Sequence, residues 1–184
     1  MAELLNVLDE QGNKTGIQKN KKEIHEQGLW HSAVHIWIYN SKGEILLQKR
    51  AEDKDYWPGM WDISTAGHIS AGETPEQTAI RELEEELGIK VDLSKLKFIG
   101  IRKFEKHVNE INYHNKEFDY IYLFRFDEDA SKLKFKDKEV EKVKFVSIEQ
   151  LEKDLKDPEL SKKYVPHGQY YFDIFEVIEK ELSK

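Results

Sequence analysis

The chain contains no cysteine. That absence excludes a disulfide framework and a thiolate metal site, and it fits a reducing compartment such as the cytoplasm. No stretch approaches the roughly 20 apolar residues that a membrane helix needs, and the opening MAELLNVLDEQ lacks a basic-then-apolar leader. The expectation is a soluble, cytoplasmic protein with no membrane partner. A concentrated basic face is also missing: 29 Lys and Arg stand against 36 Asp and Glu, a formal net charge of −7. Long nucleic-acid polymers need a Lys/Arg footprint, so they are excluded as the main ligand. Small polyphosphates stay open, because cations held by carboxylates supply local positive charge. With no internal repeat, Ser/Gly linker or low-complexity tract among its 184 residues, the chain reads as one domain over 1–184.

Local patterns then divide it. Leu4 to Leu8 reads as a short strand, Asp9 to Asn13 as a turn and Asn20 to Glu26 as a short helix, together an N-terminal extension over 1–30. From Ala33 to Tyr39 the residues alternate, with Val34, Ile36 and Ile38 on one face and His35, Trp37 and Tyr39 on the other. A turn at Asn40 to Gly43 leads into a second strand, Glu44 to Arg50. Further strands are expected at Trp61 to Thr65, Phe98 to Phe104, Phe118 to Phe126 and Val143 to Val146. Helical periodicity marks Pro75 to Leu87, Ile148 to Leu155 and a C-terminal helix within 165–184, whose Tyr171, Ile174, Phe175, Ile178 and Leu182 share a face. A mixed sheet with flanking helices follows, in an α/β or α+β class that periodicity alone does not separate.

The segment GHISAGETPEQTAIRELEEELGI, residues 67–89, carries the chemistry. Thr74 is a good N-cap, Pro75 suits the first helical position, Gln77 completes a capping box and Gly88 ends the helix. Ala79, Ile80, Leu83 and Leu87 form an apolar stripe, while Glu82, Glu85 and Glu86, at i, i+3 and i+4, share another face. Like charges so spaced repel by a few tenths of a kcal/mol per pair (~0.2–0.5). A Glu-rich face is usually only solvated surface, but a hard divalent cation such as Mg²⁺, held by carboxylates and substrate phosphate oxygens, would offset that repulsion.

The segment resembles the Nudix box at every position: Gly67, Glu73, Arg81, Glu82, Leu83, Glu85, Glu86, Gly88 and Ile89. At average residue frequencies such a match arises by chance with a probability on the order of 10⁻⁹ per starting position. The resemblance implies the Nudix fold, a mixed β-sheet sandwiched between helices, in which a loop-helix-loop supplies a Mg²⁺ or Mn²⁺ site. It implies that Glu82, Glu85, Glu86 and the carbonyl of Ala66 are metal ligands, that Glu85 or Glu86 or a loop carboxylate handles the attacking water, and that Arg81 and Glu73 brace them. The implied activity is pyrophosphohydrolysis of a nucleoside diphosphate derivative or related small phosphorylated metabolite. Homodimers are common in such a family, but the sequence names no interface.

The stretch from about His25 to Ile89 also resembles isopentenyl-diphosphate isomerase, a relative with the same fold. His25, Trp30-His31-Ser32-Ala33, Lys49-Arg50 and Trp57-Pro58-Gly59-Met60-Trp61 carry that likeness. His68 and Glu117 fall where the isomerase has metal ligands, with His25 and His31 as remnants of that site. Where its proton-transferring cysteine would stand, this chain has Ala66, and it keeps the full set of box glutamates. A hydrolase of the isomerase-like subgroup is the better expectation; the isomerase itself and a non-catalytic nucleotide-metabolite sensor are the alternatives. Glu117 is the first candidate for a further ligand or base, ahead of Glu139 and Glu141. His68 is a candidate for substrate phosphate, and His35 reads as a packed core histidine. Arg50 and Lys54 are candidates for phosphate contacts, and Trp57, Trp61, Tyr56 and Tyr113 for stacking against the substrate.

Overall fold

The structure is a computed structural model that describes residues 3–54, 56–109, 113–135 and 138–184, with the side chain of Tyr113 excepted. The chain opens with β1 (Leu4–Leu8) and β2 (Lys14–Asn20), an antiparallel hairpin. Its turn is closed by Asp9 Oδ1, which accepts from the amides of Gln11 and Asn13. Helix α1 (Lys21–Gln27) follows, opened by an Asn20–Glu23 capping box and closed at Gly28, whose φ of 58° suits glycine. Leu5 and Val7 of the hairpin bury against Ile24 of α1 in a small core of their own. The amide of Ala71 donates to Leu4 O, so the extension is pinned to the loop before the Glu-rich helix.

The hub of the sheet is β3 (Trp30–Tyr39). It runs parallel to β8 (Tyr113–Arg125) from Trp30↔Lys116 to Tyr39↔Arg125, and antiparallel to β6 (Thr65–His68). Beyond β8 lies β7 (Leu96–Val108), and β4 (Glu44–Arg50) pairs with β5 (Trp61–Asp62) and β9 (Val140–Ser147). The period-two alternation of β3 separates two cores. Val34, Ile36 and Ile38 pack with Ala79, Leu83 and Leu87 of α2 (Pro75–Leu87). Trp37 packs on the other side with Ile174, Phe175 and Ile178 of α4 (Gln169–Leu182), joined there by Leu151 of α3 (Ile148–Lys156). The mixed sheet therefore lies between helices, as the sequence implied.

Two departures from the sequence reading bear on the site. The expected strand Trp61 to Thr65 is two strands: β5 pairs with β4, and β6 with β3. The strands β3 and β4 pair only at Tyr39↔Ile45 and then diverge. Ser64 stitches the gap, its hydroxyl accepting from Ile38 N–H at 2.8 Å and donating to Leu46 O at 2.6 Å. The chain thus crosses from one strand to the other, and a cleft opens where they part. The second departure is length. Strands β7 and β8 each run 13 residues, longer than their apolar segments, because charged pairs such as Glu105 and Lys116 continue the ladder into solvent.

Candidate active site

Helix α2 starts as its sequence dictates: the Thr74 hydroxyl caps the Gln77 amide, the Gln77 side chain returns to the Thr74 amide, and Pro75 fills the first turn. Its apolar stripe sinks into the sheet, which turns the glutamates toward the cleft. Arg81 gathers three of them. Nε and Nη2 take the two oxygens of Glu73 at 3.1 Å each, and Nη1 lies 2.8 Å from both Glu82 Oε1 and Glu85 Oε2. Arg81 Nη2 also donates to the His68 carbonyl at 3.3 Å, tying α2 to β6. Glu73 is steadied further by the Thr78 hydroxyl at 2.7 Å.

Glu86 is held differently. Its Oε2 accepts from Gln48 Nε2 on β4 at 3.2 Å and from the Thr65 hydroxyl on β6. Buried and fixed from two strands, it lines a cleft of about 560 Å³ together with Glu73, Arg81, Glu82 and Glu85. Gly67 is required here, since a Cβ at that position would overlap the Glu82 carboxylate. Burial pushes the Glu82 carboxyl up to about 7, against the pull of Arg81. Four glutamates line the cleft and three of them share one arginine, so the donor set suits a hard divalent cation, and the cleft has room for phosphate oxygens beside it. Ala66 lies in the same lining, opposite His35 in the β3–β6 register.

Next to the box a second constellation converges. His31 on β3 and Glu117 on β8 are register partners, and His68 and His25 reach them from β6 and α1. Glu117 Oε1 lies 3.3 Å from His31 Nε2 and 3.5 Å from His68 Nε2, and His25 Nε2 is 3.4 Å from His68 Nε2. Ligand atoms of His25, His31 and His68 fall within 4.8 Å of one another, a spacing that could hold a cation. His31 Nδ1 contacts the Leu29 carbonyl, which leaves Nε2 for the cluster. Burial alone would raise Glu117, but hydrogen bonds from His31 and His68 overcome it and hold the carboxyl well below its ordinary range. Burial lowers His68, and lowers His25 to about 3.

The other sequence candidates sort by geometry. His35 is a buried core histidine, its Nδ1 3.1 Å from the Tyr170 hydroxyl. Arg50 lines the cleft, but its guanidinium already donates to the Tyr56 carbonyl and to Asp62. Lys54 lines it too, paired with Glu139. Glu141 instead pairs with Lys49 at 2.7 Å. Trp57 and Tyr56 line the cleft, whereas Trp61 packs against the α4-side core, with Lys144 over its ring at 4.1 Å. Trp57 adopts φ 53°, an uncommon conformation for a bulky residue and one that gathers at functional sites. The side chain of Tyr113 lies outside the described residues. Sequence reasoning passed over Asp62, Lys106 and His167, all in the lining. Only the charge of Asp62 inside the apolar run of Trp61 to Ile63 signalled one of them.

The NUDIX domain family profile matches residues 29–168. The chain belongs to the Nudix family. It is 41% identical to Nudix hydrolase 3 of Arabidopsis thaliana over 182 residues, 94% of this chain but 23% of that protein. Over 133 residues it is 36% identical to isopentenyl-diphosphate Delta-isomerase 2 of Photorhabdus laumondii, covering 70% of each chain. The fold is shared with the Deinococcus radiodurans protein DR0079, a crystal structure that aligns with a TM-score of 0.68 at 19% identity, over 95% of this chain and 98% of that one. This Nudix chain thus spans about a quarter of its Arabidopsis relative and most of its isomerase relative. No helix among its described residues is long and apolar enough to cross a membrane.

Proposed function

We propose that this Nudix protein is a divalent-metal-dependent pyrophosphohydrolase that cleaves the diphosphate linkage of a nucleoside diphosphate derivative or a related small phosphorylated metabolite. The observation that carries the reading is the set of four glutamates facing one cleft, three fixed by Arg81 and the fourth by Thr65 and Gln48. Glu82, Glu85 and Glu86, with the Ala66 carbonyl, would hold Mg²⁺ or Mn²⁺, and Glu117 offers a further carboxylate. When bound, the cation polarises phosphoryl oxygens and makes water more acidic.

The chain's own residues supply the rest. Glu85 is half exposed and keeps one oxygen outside its contact with Arg81, which suits it to take a proton from attacking water. Glu86 is locked in place and serves as a fixed anion. Arg81 and Glu73 keep the spacing of the carboxylates constant, so that little reorganisation accompanies reaction. His68 and Lys54, from β6 and the loop after β4, stand where phosphate oxygens can reach them, and Trp57 offers an aromatic face to the rest of the substrate. A compartment without disulfides, the cytoplasm, suits such a chain.

A second reading, isopentenyl-diphosphate isomerisation, is favoured by one observation: the convergence of His25, His31, His68 and Glu117. Ala66 in place of a cysteine opposes it. One experiment separates them. Nucleoside diphosphates and triphosphates, ADP-ribose, dinucleoside polyphosphates and isopentenyl diphosphate are incubated with Mg²⁺, Mn²⁺ or EDTA, and products are resolved by chromatography. Phosphate or nucleotide monophosphate release that EDTA stops supports hydrolysis; dimethylallyl diphosphate formation supports isomerisation. Binding without turnover across the panel supports a sensor.

A further inference from the structure

One titratable pair in the cleft has no part in the assignments above. Asp62 on β5 is buried, and its carboxylate accepts from the Ile63 amide at 2.8 Å, from Arg50 Nη1 at 3.0 Å and from His167 Nε2 at 2.7 Å. A buried carboxylate needs opposite charge and hydrogen bonds to compensate for lost hydration. Arg50, clamped in turn by the Tyr56 carbonyl, takes one oxygen of Asp62, and His167 takes the other. The consequence of the contact falls on the imidazole: with Nε2–H donating to Asp62, Nδ1 is the nitrogen left over. Among the described residues no hydrogen bond engages Nδ1, and the ring, 14% exposed, lines the cleft.

The strap that carries His167 is fixed on both sides. Val165 N–H donates to Trp61 O at 2.8 Å, Trp61 and Tyr164 form a parallel bridge, and the Pro166 carbonyl accepts from Lys106 Nζ at 3.0 Å. The strap is also near the glutamates. Asp62 and Gln48 are direct partners across β4 and β5, which places their side chains side by side, and Gln48 donates to Glu86. Two side chains therefore separate His167 from Glu86. Lys106 and Arg102 line the same cleft, Arg102 bonded to the buried Asp119 at 2.6 Å. Cationic donors thus sit beside a site whose other end is anionic, an arrangement that suits a ligand with one oxygen set on a cation and a second, anionic group beyond it.

We propose that His167 contacts substrate through Nδ1, at an oxygen of the phosphoryl group that is not attacked, with Asp62 as the positioning residue that fixes the ring. The inference rests on the diphosphate reading given above. Methylene diphosphonate, whose P–C–P bridge resists hydrolysis, serves as the probe. It is titrated calorimetrically, with Mg²⁺, into the full chain and into His167→Gln, which keeps a donor for Asp62 and the strap in place but lacks the Nδ1 atom. The expected result is binding weakened on the order of tenfold in the variant, with KM for the cleaved substrate raised similarly, kcat within about threefold and thermal stability unchanged.

Should the variant fold poorly, the ¹⁵N resonance of His167 Nδ1 in the unaltered protein decides: a shift on adding the probe supports the contact, and no shift overturns it. Equal affinity of probe for the variant and the unaltered protein overturns the proposal as well. The two levels fail separately. Turnover that ignores His167 leaves the hydrolase reading intact and removes this contact, whereas His167-dependent binding of the probe without turnover of any diphosphate keeps the contact and removes the hydrolase.

Discussion

Arg81 turns one edge of its guanidinium to both oxygens of Glu73, at 3.1 Å each, and thereby leaves a single nitrogen, Nη1, to be shared by Glu82 and Glu85. One planar fork sets the positions of three carboxylates. A lysine is a point charge without that fork, so Arg81→Lys keeps the charge and loses the geometry. The expected outcome is a fall in kcat of roughly ten- to a hundredfold with far-ultraviolet circular dichroism unchanged. Steady-state kinetics on the cleaved substrate checks it, and a kcat within threefold of the unaltered protein would count against the bracing role.

Glu86→Gln removes a charge without removing volume, and Thr65 and Gln48 can still surround the amide. Turnover is expected to drop at least about a hundredfold, with weaker Mn²⁺ binding by electron paramagnetic resonance and little change in Tm. Activity within twofold of the unaltered protein would contradict the place given to Glu86.

Much of this architecture was legible because local rules and the tertiary outcome agree. The alternation Val34, Ile36, Ile38 against His35 and Trp37 maps onto the two cores, and Thr74, Pro75, Gln77 and Gly88 bound α2 as their chemistry requires. The box spacing likewise places Glu82, Glu85 and Glu86 on a face away from Leu83. What the sequence hid depends on contacts distant along the chain. Strands β5 and β6 part because Ser64 bridges diverging strands, which no local pattern encodes. His167 meets Asp62 at a sequence separation of 105, and a lone histidine before a helix carries no signal of that meeting. Strand β2 escaped because its residues are mostly exposed and polar.

The docking of α2 on the sheet makes a stability prediction. Leu83 is fully buried between Val34, Ile36 and the strand of Tyr122. Leu83→Ala is expected to cost about 2–5 kcal/mol, read as a lower denaturation midpoint with an unchanged m-value. A loss under about 1 kcal/mol would mean that the helix is not seated as described.

Buried histidines predict the pH dependence of stability. Burial, with Arg102 adding to it, lowers His35 to about 3 from 6.5. Between those values the unfolded chain holds a proton on His35 that the folded chain does not, so stability is full above pH 6.5 and is lost as pH falls toward 3. The slope reaches ~1.4 kcal/mol per pH unit for this one group. Urea unfolding between pH 7 and pH 4 should show that loss, and a shallower one in His35→Gln; equal slopes would contradict the neutral buried ring.

The most direct test of the central claim is the fate of solvent oxygen. Turnover in H₂¹⁸O with Mg²⁺, followed by mass spectrometry of the products, should place one ¹⁸O on a released phosphate or monophosphate, and EDTA should stop the incorporation. Conversion of a diphosphate with no ¹⁸O in any phosphoryl group, or incorporation that EDTA leaves untouched, would contradict a metal-dependent pyrophosphohydrolase built on Glu82, Glu85 and Glu86.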